Sequence, residues 1–435
     1  MTQISPIIVR KNRIKPNHLG NHFFVKAENK APRPIFDNLE HLANPFSLKE
    51  FQIPLEEISS IYSVDFEFSW KFIYSYNGSA STFNAYRREI ERLLQWAWLI
   101  RKESILKLKR QDIEEFIRFC QKPPLAWIGT KNVSRFTNKE GKRIVNPAWR
   151  PFVVSSTKTE TKQGIFPDAK KYMLSQTGIR AMFSVLSSFF NFMIQEEITE
   201  SNPVILIRQK SKFLQKRNTK TPVRRVSNLQ WDYVLETAQK LADGDERHER
   251  TLFIMNCLYG MYLRISELVA DERSTPLMSD FQKDMDGNWW LHVVGKGNKS
   301  RIVTVSDEML KALKRYRVSL GLTALPTTDE MNPLVPKNLG NGPITSTRQI
   351  RSIVQSCFDL AYQRMKDQGF ENDANELKAA TVHWLRHTGI SEDVKIRPRE
   401  HVRDDAGHAS MHTTDRYIDS DLRERHASGK KKRLS

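Results

Sequence analysis

The polar residues that decide this fold stand in two stretches near the carboxyl end, HWLRHT at 383–388 and GHASMHTTDRYI at 407–418. His383 and Arg386 are three residues apart, so a helix would point both side chains the same way. An imidazole and a guanidinium on one face suit a phosphate, although an ordinary surface pair is the simpler interpretation of these two alone. Tyr417 ends the second stretch, and a lone tyrosine is usually a packing residue with a satisfied hydroxyl.

A third cluster, YGMYLRISEL at 259–268, places Arg264 in a segment whose apolar pattern predicts a helix. A buried arginine needs a partner, because an unpaired charge away from water is costly. Glu267 lies three residues on and would share a helix face with Arg264. Taken alone, this pair is explained by a simple salt bridge.

A fourth cluster lies in a predicted β-hairpin. The strands are WWLHVV at 289–294 and RIVTV at 301–305, and the turn between them carries Lys296 and Lys299. Its glycines let the chain bend sharply and let the backbone approach a ligand. An ordinary charged turn would have the same composition.

Together these clusters hold two arginines, a lysine, two histidines and a tyrosine, which form a set for phosphoryl transfer that requires no metal or cofactor. Arginines neutralise the nonbridging oxygens as charge develops. A tyrosine forms a covalent phosphodiester intermediate. Histidine and lysine move protons in and out.

In order and spacing the clusters resemble the tyrosine recombinase (phage integrase) family, which reads Arg…Lys…His-x-x-Arg…His/Trp…Tyr. The residues that match its catalytic positions are Arg264, Lys296, His383, Arg386, His408 and Tyr417. Glu267 matches the acidic residue three positions after the first arginine. Thr82-x-x-x-Tyr86 and NPV at 202–204 resemble the family's core-binding domain more weakly, so the likeness covers about 66–425.

The chain departs from the family pattern in two places. Tyr262 stands where glycine often precedes Leu-Arg, and the stretch 391–401 is more polar than the apolar helix usual there, with Pro398 as a break. Neither departure removes a catalytic residue. The histidines that match no catalytic position are interpreted as structural or surface residues: His387, His401 and His412.

The resemblance implies a mainly α-helical fold with a small β-sheet (α+β), in which a helical core-binding domain and a catalytic domain close on DNA as a C-shaped clamp. Tyr417 would attack the scissile phosphate, giving a 3′-phosphotyrosine and a free 5′-hydroxyl. Arg264 and Arg386 would hold the nonbridging oxygens, and Lys296, in preference to Lys299, would protonate the leaving 5′-oxygen.

The resemblance also implies roles for the remaining matched residues. His383 would act as a general base or a phosphate donor, and His408 would donate a hydrogen bond to the phosphate. Glu267 would orient the arginine and histidine from behind. A 5′-hydroxyl of a partner strand would then attack the phosphotyrosine, with neither ATP nor metal, and four protomers would act on two duplexes.

Composition independently points to a polyanionic partner, since 69 Lys and Arg against 50 Asp and Glu give a formal charge of +19 and a pI of about 9.7. Three cysteines without a CxxC pair predict neither disulfides nor a zinc site and fit a reducing cytoplasm. The first residues lack the pattern of a signal peptide. The apolar stretch Met182–Ile194 is interrupted by serines and is too short to cross a bilayer, so no membrane role is expected.

The predicted organisation has five parts: an extension at 1–65 that serves as an accessory DNA-binding arm, a core-binding domain at 66–207 with an insertion at 122–174, a basic linker at 208–226, a catalytic domain at 227–425 and a basic tail at 426–435. The predicted helices are 81–100, 112–121, 179–198, 229–241, 247–269, 307–320, 346–368, 376–393 and 412–418. Part of the insertion, at 131–143, reads as a basic hairpin or loop.

Four basic residues outside the catalytic set are predicted to contact DNA, with simple solvation as the alternative: Arg224, Arg225, Lys299 and Arg301. The expected partners are double-stranded DNA with specific recombination sites, three further copies of the chain in a homotetramer, and an accessory recombinase or directionality factor. The expected location is the cytoplasm, with the nucleoid.

Three alternatives to a recombinase stay open at this point. One is a type IB topoisomerase-like nicking-closing enzyme, which shares the chemistry. Another is a non-catalytic DNA-binding relative, against which the complete set of six residues argues. The third is a basic RNA-binding protein, for which aromatic-rich motifs are missing. The extension and the insertion favour integration or excision of a mobile element over resolution of chromosome dimers.

Overall fold

The structure is a computed structural model that describes residues 31–41, 60–154, 156, 160, 164–205, 207, 213, 224–295, 297–415, 417 and 429–430. Its contacts divide the chain into two compact units, Met1–Asn218 and Thr219–Ser435, and the division falls within the predicted basic linker. Lys296, most of that linker and most of the predicted extension and tail lie outside the described residues.

Helices dominate the described part of the first unit. They are α1 (Ser60–Tyr74), α2 (Ala80–Gln95), α3 (Arg110–Gln121) and α4 (Gln176–Gln195). The helix predicted at 81–100 ends earlier, because at Trp96–Arg101 the backbone continues as a wider π-helical turn. Lys102, with a φ of 60°, then ends this turn in a left-handed conformation.

Helix α4 is the centre of the first core. Its apolar stripe is buried as predicted, with Ile179, Met182, Phe183, Leu186, Phe190 and Met193 all nearly inaccessible. The helix is longer than the predicted apolar stretch: within the described residues it is the one helix with the length and mean hydropathy, 1.2, of a membrane span. Half of that window is buried inside the unit, as in a core helix of a folded domain.

The predicted insertion at 122–174 forms short strands. Strands β1 (Ile128–Gly129) and β4 (Phe152–Val153) pair in parallel. Strands β2 (Phe136–Lys139) and β3 (Lys142–Val145) form an antiparallel hairpin, which confirms the hairpin alternative for 131–143.

Part of the predicted N-terminal extension belongs to the first unit, which corrects the boundary at residue 66. Ile35 and Phe36 are buried in its core. Asp37 accepts two hydrogen bonds from Arg143 of β3, at 2.7 and 2.8 Å. Residues 31–41 therefore anchor the hairpin instead of forming a separate arm.

The second unit is also mainly helical. Its helices are α5 (Asn228–Gly244), α6 (Glu249–Gly260), α7 (Asp307–Ser319), α8 (Thr347–Asp367), α9 (Glu371–Lys378), α10 (Val382–Asp393), α11 (Arg399–Ala406) and α12 (Met411–Asp415). Helix α6 is central, since it packs against α5, α7, α8 and α10. The predicted capping box of Ser227 and Gln230 is present at the start of α5.

Two of the helices predicted for this unit are wrong, because each predicted range is interrupted in the structure. The segment 247–269 is not one helix, because α6 ends at Gly260 and Arg264 is extended, at the start of a 3₁₀ turn over Ile265–Glu267. The segment 376–393 contains the end of α9 and the whole of α10.

A three-stranded antiparallel sheet completes the second unit. It consists of β5 (Phe281–Lys283), β6 (Trp289–Val294) and β7 (Ser300–Thr304), in that order. The β6–β7 hairpin confirms the sequence prediction, whereas β5 was not predicted. Overall, the described residues form the mainly α-helical fold with small sheets that was expected. Strand β7 packs against α11 and thereby brings the sheet beside the polar residues of the site.

Candidate active site

The polar residues singled out in the sequence come from four places in the second unit. Arg264 and Glu267 follow α6, and Arg301 lies on β7. Helix α10 carries His383, Arg386 and His387, while His408 and Tyr417 follow α11 and α12 respectively.

Glu267 lies behind the site as a buried acceptor for two arginines. Its side chain has no exposed surface, and it accepts from the backbone N–H of Arg264 at 2.7 Å and from Arg264 Nη1 at 2.9 Å. Arg301 Nη1 and Nη2 each donate to one of its carboxylate oxygens at 2.8 Å. Burial alone would raise the pKa of Glu267, but Arg301 and then Arg264 outweigh it and hold the pKa below its usual range.

This arrangement alters two sequence predictions. The Arg264–Glu267 salt bridge is present, yet the second cation on Glu267 is Arg301, where a histidine was expected. Arg301 was predicted to contact DNA, but its side chain is only 10% exposed and its guanidinium is committed to Glu267 and to the carbonyl of Asp405, at 2.8 Å. The structure therefore gives Arg301 a supporting position.

Gly407 joins the corner after α11 to these arginines. Its carbonyl accepts from Arg264 Nη2 at 3.0 Å. With a φ of 63°, it adopts a backbone conformation that favours glycine, and a Cβ there would lie 2.8 Å from Arg301 Cδ. The glycine of the GH pair therefore allows His408 to approach the arginines.

Arg386 is buried and holds the backbone of two segments together. Its Nη2 donates to the carbonyl of Ala406 at 2.5 Å, and its Nη1 donates to the carbonyl of Tyr262. Burial, followed by the charge of Arg264, lowers the pKa of Arg386 to about 9. The guanidinium remains charged at neutral pH, and a nearby oxyanion would relieve its repulsion with Arg264.

His408 lies within reach of Arg386. Its Nε2 is 3.4 Å from Arg386 Nη2, and its Nδ1 is 2.9 Å from Thr414 Oγ1. Because a guanidinium only donates, Nε2 accepts and the ring proton resides on Nδ1. Burial, then the charges of Arg386 and Arg264, lowers the pKa of His408 to about 4, so the ring is neutral at pH 7.

Tyr417 completes the group. Its ring lies parallel to that of His408, with centroids 5.7 Å apart and an interplanar angle of 12°. Its hydroxyl is 2.7 Å from Nδ1 of His387. The sequence analysis interprets His387 as a structural or surface residue. Its spacing could have placed it at the site, because it lies four residues after His383, on the same face of α10.

His383 lies at the exposed rim of the site. Partial desolvation of the ring lowers the pKa of His383, and the charges of Arg386 and then Arg351 lower it further. Arg351, in the first turns of α8, was not singled out in the sequence. It is exposed and close enough to influence His383.

The two departures from the family pattern contact each other. Tyr262 has a φ of 50°, a conformation more readily adopted by glycine, which explains why glycine suits this position. Its hydroxyl donates to Asp393 and accepts from Arg397 Nη1 at 3.0 Å. The polar residues between α10 and α11 thus serve as partners for the tyrosine, and Pro398 precedes the first residue of α11.

The remaining predicted DNA contacts differ in exposure. Lys299 and Arg224 are exposed, and Arg225 lies 3.9 Å from Glu392 in a partly exposed ion pair. Within the described ranges, no group of three or more His, Cys, Asp or Glu side chains is arranged to hold a metal ion. The described side chains of the site group Arg264 and Arg386 with His408 and the phenol of Tyr417.

Comparisons with known proteins found relatives by sequence. No family model matches the chain. It is 30% identical over 260 residues to tyrosine recombinase XerC of Pediococcus pentosaceus, a match that covers 56% of this chain and 71% of that protein. It is 27% identical over 258 residues to a tyrosine recombinase of Pseudothermotoga lettingae, covering 57% and 72%.

The solved structures found by comparison include two recombinases bound to DNA. The XerH site-specific recombinase on palindromic difH substrate, in a post-cleavage complex, shares 16% identity over 82% of each chain, with a TM-score of 0.49. A lambda integrase dimer on a COC′ core site shares 12% identity over 81% of this chain and 76% of that chain, with a TM-score of 0.44.

Proposed function

The chain belongs to the tyrosine recombinase family and is a site-specific DNA recombinase, and we propose that Tyr417 is the nucleophile with which it cuts and rejoins DNA strands. One observation carries the assignment of the site. Tyr417, His408 and Arg386 are neighbours in space, although Arg386 lies 31 positions before Tyr417 in the sequence.

In this proposal the scissile phosphate binds to both Arg264 and Arg386, which are close enough for their charges to act on each other. Arg264 is 29% exposed, so part of its guanidinium faces solvent while Glu267 holds the rest. The lowered pKa of Arg386, caused by burial and then by Arg264, supports a local excess of positive charge. A phosphate diester would offset that excess, and more strongly as negative charge builds up on its oxygens during attack.

His408 and His383 complete the phosphate contacts. His408 Nε2 accepts from Arg386 in the free protein, so it has no proton to donate there. An incoming phosphate would take over the N–H of Arg386 and raise the pKa of His408, which lets the ring donate to a nonbridging oxygen. In this proposal His383, which is exposed, donates to the same phosphate.

Lys296 lies outside the described residues, and its role as the acid for the leaving 5′-oxygen rests on its place in the β6–β7 turn. The attack forms a bond between Tyr417 Oη and phosphorus and breaks the bond to the 5′-oxygen. The product is a 3′-phosphotyrosine, which a 5′-hydroxyl from a partner strand attacks in turn.

The partner of this site is DNA. The finer features of the complex belong to the proposal: double-stranded sites of specific sequence, a homotetramer that brings two duplexes together, an accessory recombinase or directionality factor, and a location in the cytoplasm with the nucleoid. The charge of +19 supports a polyanionic partner, and the exposed Lys299 and Arg224 are the candidate phosphate contacts.

We also propose that the reaction integrates or excises a mobile element. The support is the length of chain that lies outside the match to a relative. That match spans 260 residues and covers 56% of the chain. The β2–β3 hairpin of the predicted insertion, held to Asp37 through Arg143, is an addition of this kind in the first unit.

The test uses nicked suicide duplexes that carry candidate attachment sequences, incubated with the full chain in EDTA and resolved on a denaturing gel. We expect a covalent protein–DNA adduct that is lost in Tyr417→Phe. Transfer of the cleaved strand to a second duplex would identify a recombinase, whereas relaxation of supercoils alone would identify a nicking-closing enzyme. Tight binding of a site without any adduct would contradict the catalytic assignment.

A further inference from the structure

His387 is a titratable group that the family's catalytic pattern does not account for. It lies within α10, half-buried, one position after Arg386. Its Nδ1 is 2.7 Å from the hydroxyl oxygen of Tyr417, and the two ring centroids are 5.4 Å apart. This distance is that of a direct hydrogen bond to the atom proposed to attack phosphorus.

The chemistry of Tyr417 requires such a partner. A phenol has an ordinary pKa of about 10, so at neutral pH the hydroxyl keeps its proton until attack begins. A general base must lie within hydrogen-bond reach of that proton, and a neutral imidazole is suited to accept it near pH 7.

The other two histidines of the site are less suited to this task. Both ring nitrogens of His408 face other groups, Thr414 on one side and Arg386 on the other. Its pKa of about 4 also makes it a weak base. His383 lies at the exposed rim, where its ring centroid is 6.4 Å from that of His387.

We propose that His387 is the general base that takes the proton from Tyr417 as the strand is cut, an inference that rests on the proposed function. The O–H bond of Tyr417 breaks, its proton passes to Nδ1 of His387, and Oη bonds to phosphorus. The 5′-oxygen leaves with the bonding pair and receives a proton from the acid, proposed to be Lys296. On rejoining, the neutral Lys296 takes the proton of the attacking 5′-hydroxyl as that oxygen bonds to phosphorus. The bond between phosphorus and Oη breaks, and the cationic His387 returns its proton to the departing phenolate.

The fold holds His387 in place for this transfer. Two residues later, Gly389 is so close to α6 that a Cβ would lie 2.1 Å from the carbonyl oxygen of Tyr259. Thr388 accepts a hydrogen bond from the backbone N–H of Val226 at 3.0 Å. Helix α10 is therefore held at the two positions that follow the base, and such rigid support is what proton transfer at a set distance needs.

Several charged or titratable groups lie close to His387. His383 and Arg386 lie on its own helix, and His408 and Tyr417 lie on the segments after α11 and α12. The charge of Arg264 acts on both Arg386 and His408. A bound phosphate supplies the negative charge that stabilises the imidazolium formed during attack.

The test measures single-turnover formation of the covalent adduct on a suicide duplex that the wild-type chain cleaves. His387→Ala and His387→Asn should each slow cleavage by about 10²–10⁴-fold, the usual contribution of a general base. The amide of the Asn variant can accept the hydrogen bond but cannot take up the proton. His401→Asn, the same change at an exposed histidine of α11, is the matched control and should cleave at the wild-type rate.

Three further readouts separate a base from a residue that only positions Tyr417. Imidazole in the buffer should partly restore cleavage by His387→Ala. Replacing Tyr417 with 3-fluorotyrosine, a more acidic phenol, should shrink the defect of His387→Asn. A substrate with sulfur in place of the bridging 5′-oxygen, which needs no acid, should leave the defect unchanged.

The outcomes distinguish this inference from the proposed function. If the wild-type chain forms no adduct, the proposed function fails. If the wild type forms an adduct and His387→Ala or His387→Asn reacts at the same rate, the inference is overturned while the function stands. Rescue of the His387 variants by the sulfur substrate would place His387 on the leaving-group side and would also overturn it.

Discussion

Replacing Glu267 with glutamine should destabilise the second unit without changing the size of the side chain. Four N–H groups donate to the two carboxylate oxygens. The backbone N–H and Nη1 of Arg264 supply two of them, and Nη1 and Nη2 of Arg301 supply the other two. A glutamine keeps one acceptor oxygen and turns the other into a donor. It also removes the negative charge that lies between two cations.

The expected size follows from those contacts. About two of the four donors lose their acceptor, and a hydrogen bond to a charged group contributes about 1.5–3 kcal/mol. The Glu267 side chain has no exposed surface, so water cannot replace the lost acceptor. The sum agrees with the roughly 3–5 kcal/mol lost when one partner of a buried ion pair is removed. Cleavage should fall as well, because Arg264 loses its support.

Hydrogen–deuterium exchange on the full chain measures this effect within one unit. Amides of α6 and α10 should show a free energy of opening lower by about 3–5 kcal/mol, with those of α4 unchanged. Glu308→Gln is the control, because its partner Lys311 is exposed and the pair at 2.7 Å lies in water. A decrease below about 1 kcal/mol in Glu267→Gln, typical of an exposed pair, would refute the reasoning.

Three other perturbations follow from the packing and charge of the site. Gly389→Ala should lower the midpoint of thermal unfolding by ~5 °C or more, since its Cβ would overlap a carbonyl oxygen. Gly260→Ala is the control, because a Cβ there would have no atom within 4 Å, and its midpoint should not fall in this way. Similar midpoints for the two variants would contradict the close contact at Gly389. The pKa of His408 is about 4 in the folded chain, against 6.5 ordinarily, so the unfolded chain takes up a proton as pH falls from 6.5 towards 4 while the folded chain does not. The free energy of unfolding should therefore decrease over that range, and His408→Asn should lose this part of the pH dependence. Parallel curves of stability against pH for the two proteins would disprove it. Sulfate should raise the midpoint of thermal unfolding more than chloride does at equal ionic strength, because Arg386 and Arg264 repel each other without a bound anion. If sulfate raises the midpoint of Arg264→Gln as much as that of the wild-type chain, the result would argue against an oxyanion site at these arginines.

Local patterns in the sequence predicted the features that depend on neighbouring residues. The capping box at Ser227 and the β6–β7 hairpin are both set within a few positions, and both are present. The apolar stripe of α4 follows the helical repeat and is buried as expected. The same local pattern failed after Gly260, where apolar residues continue although the helix does not. Burial can make extended and helical segments equally apolar.

Contacts between distant residues were beyond such patterns. Arg301 and Glu267 are 34 positions apart, and nothing in the hairpin sequence distinguishes a lysine or arginine that meets DNA from one that pairs internally. His387 and Tyr417 are 30 positions apart, and their contact depends on how α10, α11 and α12 pack. The role of residues 31–41 likewise depends on Asp37 meeting Arg143, 106 positions away.

The sequence by itself determined which chemical groups are available and in what order, because residue types and their spacing within a helix or hairpin are local properties. It was sufficient to predict that the arginines, histidines and tyrosine form a set for phosphoryl transfer. The tertiary structure decided which of those groups touch. Burial selected Arg301 and Glu267 as a supporting pair, and the packing of α10 against α6 placed His387 at the hydroxyl of Tyr417, since only the folded chain fixes distances between residues far apart in sequence.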